Sequence, residues 1–168
     1  QNAETRSTDS MARSLGGSII INGGTVNATG KVVAESLEIH NDGALNAEAS
    51  AVSNDGAAVG VKRGITVDGN GSLTAVGGAV ENEYANNGAI LLNSNFGDKI
   101  SVSGNGSITV PEGNAAKVGI YYDGNKSIDA EISGGKVTAY GTKCGIYKVN
   151  LIMSGTGSVY ATGGAYGI

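Results

Sequence analysis

One histidine, fifteen carboxylates and seven tyrosines are the side chains of this 168-residue chain best suited to act on another molecule. Hydrolysis of a glycosidic bond needs two carboxylates about 5–10 Å apart. Which acids can meet depends on how the chain repeats. If equivalent positions stack, the position just before a recurrent turn runs Asn22, His40, Asp68, Ser103, Ser133 and Ser154. His40 then lies beside Asp68, which could form an acid/base pair or a solvated surface contact. Two residues earlier the row runs Glu38, Thr66, Ser101, Glu131 and Ile152, which leaves its acids isolated. The basic pair Lys62-Arg63 has no acidic cluster to match it. Asp68-Gly-Asn-Gly-Ser72 opens like a calcium loop, but its twelfth position is Ala79 where a Glu is required. No catalytic set, metal site or cofactor is expected. Cys144, the only cysteine, excludes an internal disulfide framework and a Cys-based zinc site. It fits its neighbours as a small buried residue.

Six of the seven tyrosines fall between Tyr121 and Tyr166. With Ile120 and Ile146 pointing inward, Tyr121 and Tyr147 point outward, one coil apart. Tyr140 and Tyr160 point outward on the second strand of adjacent coils. Outward aromatic rings on a rigid face can stack against the C–H faces of sugars, their hydroxyls serving as hydrogen-bonding handles. Tyrosine is also a good strand former that tolerates exposure.

The elements that must position these residues come from an internal repeat. Six segments superimpose, beginning at Ile19, Leu37, Ile65, Ile100, Ala130 and Leu151. Each reads apolar-x-apolar, a short Gly/Asn turn, then x-apolar-x-Ala or a close variant. Period-two alternation on both sides of the turn describes two short strands showing one face to a core. The anchor glycines Gly24, Gly43, Gly71, Gly106, Gly135 and Gly157 are 19, 28, 35, 29 and 22 residues apart, as suits a coil with one variable loop. A third strand is signalled by Gly followed by an apolar residue, at Gly60-Val61, Gly88-Ala-Ile90, Gly119-Ile120, Gly145-Ile146 and Gly167-Ile168. A lone three-strand coil cannot bury its apolar side. Stacked coils can, pairing every backbone group with the coil above or below. The inward ladders would include Leu45, Leu73, Ile108, Val137 and Val159, and beside them Ala47, Ala75, Val110, Ala139 and Ala161. An antiparallel sandwich also uses Asn-Gly turns, but it does not require three strands in fixed order. The expected fold is therefore all-β, a right-handed single-stranded parallel β-helix of about six coils spanning residues 17–168.

Residues 1–16 form the expected N-terminal cap, with a short helix over Ser7–Leu15 and Thr8 or Asp9 near its N-cap. At Gly167-Ile168 a third strand is only beginning. Further residues of a longer chain, or a capping partner, are expected over that edge. Twenty-nine glycines among 168 residues far exceed the roughly 7% of average proteins, but regularly spaced aliphatics argue against disorder. A net charge of −4 argues against a nucleic-acid partner. No apolar run reaches the length of a membrane span.

Asn22-Gly-Gly-Thr-Val-Asn-Ala-Thr-Gly30 and Ile132-Ser-Gly-Gly-Lys-Val-Thr-Ala-Tyr-Gly141 resemble the I-x-G-G-x-V-x-A-x-G repeats of large surface proteins from gut Firmicutes and related bacteria, some of which are carbohydrate-binding β-helix proteins. The resemblance extends over about residues 17–168. It implies an extracellular parallel β-helix, often joined to other modules in a longer chain. The solenoid pattern and the tyrosine cluster give the expectation of a secreted or cell-surface module for adhesion or glycan binding, with a polysaccharide or host-surface glycan as partner. This chain departs from the better-studied carbohydrate binders in lacking their Asp-rich calcium clusters. The alternatives are a polysaccharide lyase or hydrolase using His40 and Asp68, and a structural stalk with no ligand.

Overall fold

The computed structural model describes residues 2–13, 17–50, 56–80, 87–93 and 99–168, with side chains from residue 17 onward. Every strand pairing it shows is parallel, and the chain winds as a parallel β-helix. Strand β1 (Asn2–Arg13) precedes the first full coil, and β2 (Ile19–Ala34) runs continuously around that coil's three sides. The second coil holds β3 (Leu37–Glu48) and β4 (Val59–Val61), and the third β5 (Ile65–Val67), β6 (Ser72–Val76) and β7 (Gly88–Leu92). The fourth is β8 (Ile100–Val102), β9 (Ser107–Val110) and β10 (Val118–Tyr122), and the fifth β11 (Ile128–Ile132), β12 (Lys136–Gly141) and β13 (Cys144–Tyr147). The sixth has β14 (Val149–Met153), β15 (Ser158–Gly163) and a single bridge from Tyr166 to Cys144.

Like residues stack in register. Leu45 pairs with Leu73, Leu73 with Ile108, Ile108 with Val137 and Val137 with Val159, as the repeat requires. Leu37, Ile65, Ile100, Ala130 and Leu151 form a second inward ladder, and Val32, Val59, Ile90, Ile120 and Ile146 a third. These three rows meet in one continuous core. Fully burying each such aliphatic side chain contributes about 1.5–3 kcal/mol.

The anchor glycines Gly24 and Gly135 carry left-handed turn backbone, with φ of 81° and 72°, but Gly43, Gly71 and Gly106 serve a different purpose. A Cβ at Gly43, Gly71 or Gly106 would stand 2.6, 2.7 or 2.6 Å from the carbonyl oxygen of Ile21, Ile39 or Val67 in the coil below. These positions need space. The left-handed backbone of the turn falls instead on Gly69 and Gly104, with φ of 61° and 63°.

One expectation is corrected. No short helix forms at the N-terminus: Ser7–Arg13 belong to β1, which pairs parallel with β2 from Asn2↔Thr25 to Arg13↔Val33, and residues 14–16 lie outside the described part. A strand satisfies the open backbone edge of the first coil, which a helix laid across it would leave unpaired. The third strand forms where Gly60-Val61 signals it, as β4, with Val61 buried in the core. Val59 stacks under Ile90 and so under Ile120, and Val61 stacks under Leu92. Gly60 points outward, and a Cβ there would meet Lys31 Cε at 2.7 Å. It makes room for a lysine stem.

Candidate functional site

The β-helix displays the four singled-out tyrosines on two different faces. Tyr121 and Tyr147 sit in register on the third face, in the outward row Val33, Gly60, Leu91, Tyr121, Tyr147. Their rings stack with centroids 5.7 Å apart and planes inclined by 20°. They are not equivalent, however. Tyr147 is 47% exposed, whereas Tyr121 is only 2% exposed and packs with Ala57, Leu91 and Val118 in a small apolar cluster outside the main core. The expectation that Tyr121 faces solvent is corrected on this point: its strand turns it outward, but neighbouring residues cover it. Its hydroxyl donates to Asp123 Oδ1 at 3.0 Å. Burial first, then that carboxylate, pushes its pKa up to about 12. Tyr121 is thus a rigid backing for Tyr147.

Tyr160, 64% exposed, pairs with Thr138 on the second face, and half-buried Tyr140 pairs with Thr162. Tyr140 and Tyr160 are therefore diagonal neighbours and do not stack directly. Tyr122 points inward beside Leu92 and joins the main core. Tyr166, 70% exposed, was not singled out from the sequence; its place just before Gly167-Ile168 was the available signal. It borders a concavity of about 380 Å³ lined by Ser127, Tyr147, Lys148, Tyr166 and Ile168 over a floor of Cys144, Ile146 and Val149. That volume falls at the lower end of ligand-binding clefts. Lys148 stands at this concavity in a left-handed conformation, φ 59°, because one residue alone turns the corner from β13 to β14. Its ammonium lies 5.9 Å from the Tyr147 ring centroid and donates to the Gly124 carbonyl at 3.1 Å.

The second cluster forms around His40. Asn22 and His40 pair across β2 and β3, and Asp68 follows β5 on the next coil. His40 Nδ1 lies 2.9 Å from Asp68 Oδ2, which gives the sequence-expected neighbours a direct contact. Glu38, two residues earlier on the same outward side of β3, brings Oε2 to 3.3 Å from His40 Nε2. The hydrogen bonds to Asp68 and then to Glu38 favour the imidazolium and raise the pKa of His40 above its ordinary 6.5. All three side chains are partly open to solvent.

The remaining polar residues chiefly satisfy one another. Arg63 and Lys62 both reach Glu35, at 3.1 and 3.8 Å. Cys144 is buried, its thiol donates to the Ile146 carbonyl at 3.0 Å, and burial pushes its pKa up. An amide ladder runs along the first turn: Asn41 donates to Asn22, Asn70 to Asp42 at 2.9 Å, and Asn105 to Asn70 at 3.0 Å. The sequence reading missed it, although Asn70 and Asn105 both directly precede anchor glycines. The run Asp68-Gly-Asn-Gly71 is a turn closed by the Gly71 N–H on the Asp68 carbonyl at 2.8 Å. Among the described residues, no three or more His, Cys, Asp or Glu side chains are grouped to hold a metal ion. No described helix is long and apolar enough to cross a membrane.

No protein-family model matches this chain, and no curated protein or solved structure matches it either.

Proposed function

We propose that this β-helix is a non-catalytic module of a secreted or cell-surface protein that binds a polysaccharide or host-surface glycan through its outward tyrosines. The observation that carries the proposal is Tyr147: a half-exposed ring, held from behind by buried Tyr121, at the edge of a concavity that Tyr166 also borders. A pre-oriented ring loses little freedom when a sugar stacks on it, and the hydroxyls of Tyr147 and Tyr166 with the Ser127 side chain supply polar partners. Tyr160, on the second face, offers a separate, flat contact, and Tyr140 beside it is half covered. The kinship implied by the Gly-Gly repeat phrases points the same way. The non-catalytic reading rests on His40, whose two ring nitrogens are both engaged by carboxylates on an outer face.

Retention on insoluble polysaccharides and a glycan array test the proposal. The expected outcome is binding by the native chain, loss in Tyr147→Ala and Tyr166→Ala, and little change in Tyr160→Ala. Equal retention by the Tyr147→Ala/Tyr166→Ala double variant defeats the site. Binding lost only in Tyr160→Ala moves it to the second face.

A further inference from the structure

Resting on the glycan-binding reading above, we infer that the concavity beside Tyr147 takes a sugar bearing a carboxylate, a residue of the uronate class. The Lys148 ammonium meets its charge while its ring stacks on Tyr147. Among the described side chains that line the concavity, Lys148 alone is charged; Ser127, Tyr147 and Tyr166 add hydroxyls, and no carboxylate or amide lines it. Neutral sugar hydroxyls donate as well as accept, and a site for them gains from carboxylate or amide acceptors. A lining of one cation and three hydroxyls instead complements a group that only accepts. On a sugar, that group is a carboxylate.

Lys148 has donors to spare. An ammonium carries three, and one goes to the Gly124 carbonyl at 3.1 Å. The Tyr147 ring centroid, 5.9 Å away, stands at the outer limit of a cation–π contact. Among the described residues no carboxylate, the terminal one of Ile168 included, forms an ion pair with Lys148. Its left-handed backbone, φ 59°, is a conformation that Gly or Asn adopts at less cost, so the corner holds a lysine against local preference. Charge along the chain points the same way. Residues 113–168 hold five lysines against three carboxylates, a net charge of +2, whereas residues 1–112 hold six basic residues against twelve acids, a net charge of −6. All three carboxylates of the basic part are engaged: Glu131 by Lys99, Asp129 by Asn150 at 3.1 Å, and Asp123 by the Tyr121 hydroxyl at 3.0 Å. The tyrosine-rich end is therefore the basic end of an acidic chain, and its field favours anions there.

Polygalacturonate and its fully methyl-esterified form are the probes, because esterification removes the charge and keeps the pyranose backbone. Calorimetry of the full chain with short oligomers of each measures the preference. A charge-assisted hydrogen bond screened by solvent predicts about 3–10-fold tighter binding of the acid form. That preference should fade between about 0.01 and 1 M salt, as the Debye length falls from about 30 to 3 Å. Lys148→Asn keeps a residue that tolerates the left-handed corner and should bring the two forms to equal affinity without abolishing binding. Tyr147→Ala should lose both. Lys136→Ala removes the same charge from an exposed position on the second face and should keep the preference. Far-UV circular dichroism establishes that each variant keeps its sheet. Equal binding of both forms by the native chain overturns the acid-sugar assignment and leaves the glycan site standing. So does a preference lost as fully in Lys136→Ala as in Lys148→Asn. Binding of the acid form that survives in Tyr147→Ala/Tyr166→Ala overturns the site itself. Binding of neither form, with no uronate bound on a glycan array, also overturns the acid-sugar assignment, while neutral glycans bound on that array would uphold the broader reading.

Discussion

Coils two to four and the sixth coil share one backbone register yet present different outer surfaces. In the earlier coils the outward positions hold side chains that satisfy each other across coils: His40 with Asp68, Asn105 with Asn70, Arg63 with Glu35. In the sixth coil two of the equivalent positions become large and apolar, while coil five still carries polar partners such as Glu131, paired with Lys99. Ile152 follows Thr66, Ser101 and Glu131 in one outward row, and Tyr160 follows Thr74, Thr109 and Thr138 in another. Ile152 and Tyr160 are about half exposed or more. The inside of a β-helix is set by stacking like on like, which holds in both regions. The outside is free to vary, and this chain uses that freedom to place aromatic surface at one end.

The sharpest way to break the comparison is at the two tyrosines most unlike each other. Tyr121→Ala should cost about 3–5 kcal/mol in urea unfolding, as loss of a buried aromatic does. Tyr160→Ala should change stability by no more than about 0.5 kcal/mol. Similar losses for both would mean that the outer cover over Tyr121 contributes nothing.

The interior offers the next contrast, because the same ladder passes from the middle coils into the last one. Leu73 is fully buried and Val159 is only partly so. Leu73→Ala should cost about 2–5 kcal/mol, and Val159→Ala distinctly less, with the urea midpoint as the measurement. Below these comes Gly71→Ala. Its new Cβ would press on the Ile39 carbonyl at 2.7 Å, and such overpacking costs about 1–3 kcal/mol. An unchanged midpoint would show that the coil spacing relaxes freely.

The ladders were legible in the sequence because alternation fixes which side chains point inward, and a glycine at a fixed offset fixes which ones stack. Leu45 through Val159 needed nothing more. What alternation cannot show is the cover on the outward side. It turns Tyr121 away from the core correctly, yet Ala57 and Leu91 from earlier coils pack against it. The third strand was legible at Gly60-Val61, but its register was not. Gly60 resembles Gly119 in sequence, but it yields space to Lys31 on the outside and does not precede the residue that stacks under Ile90. The Glu38–His40 contact was missed because it lies along a strand, between residues two apart, whereas the row comparison looked only across coils. The N-terminal helix failed because local capping residues say nothing of the open sheet edge that β1 pairs with.

The smallest effect concerns pH, and it separates the polar outer surface from the aromatic one. Asp68 and Glu38 stabilise the charged form of His40 in the folded chain, so its folded pKa lies above the unfolded value near 6.5. A raised pKa means that the folded state holds its proton more tightly. The added stability is therefore fully present below pH 6.5 and is lost as the pH rises through the folded pKa. Unfolding midpoints of the native chain should decline gently over that window in metal-free buffer, and His40→Gln should remove the decline. Tyr147→Ala should leave it intact, since no titrating partner of His40 lies on the third face. A decline that persists in His40→Gln would assign the proton to another group and dissolve the distinction between the two surfaces.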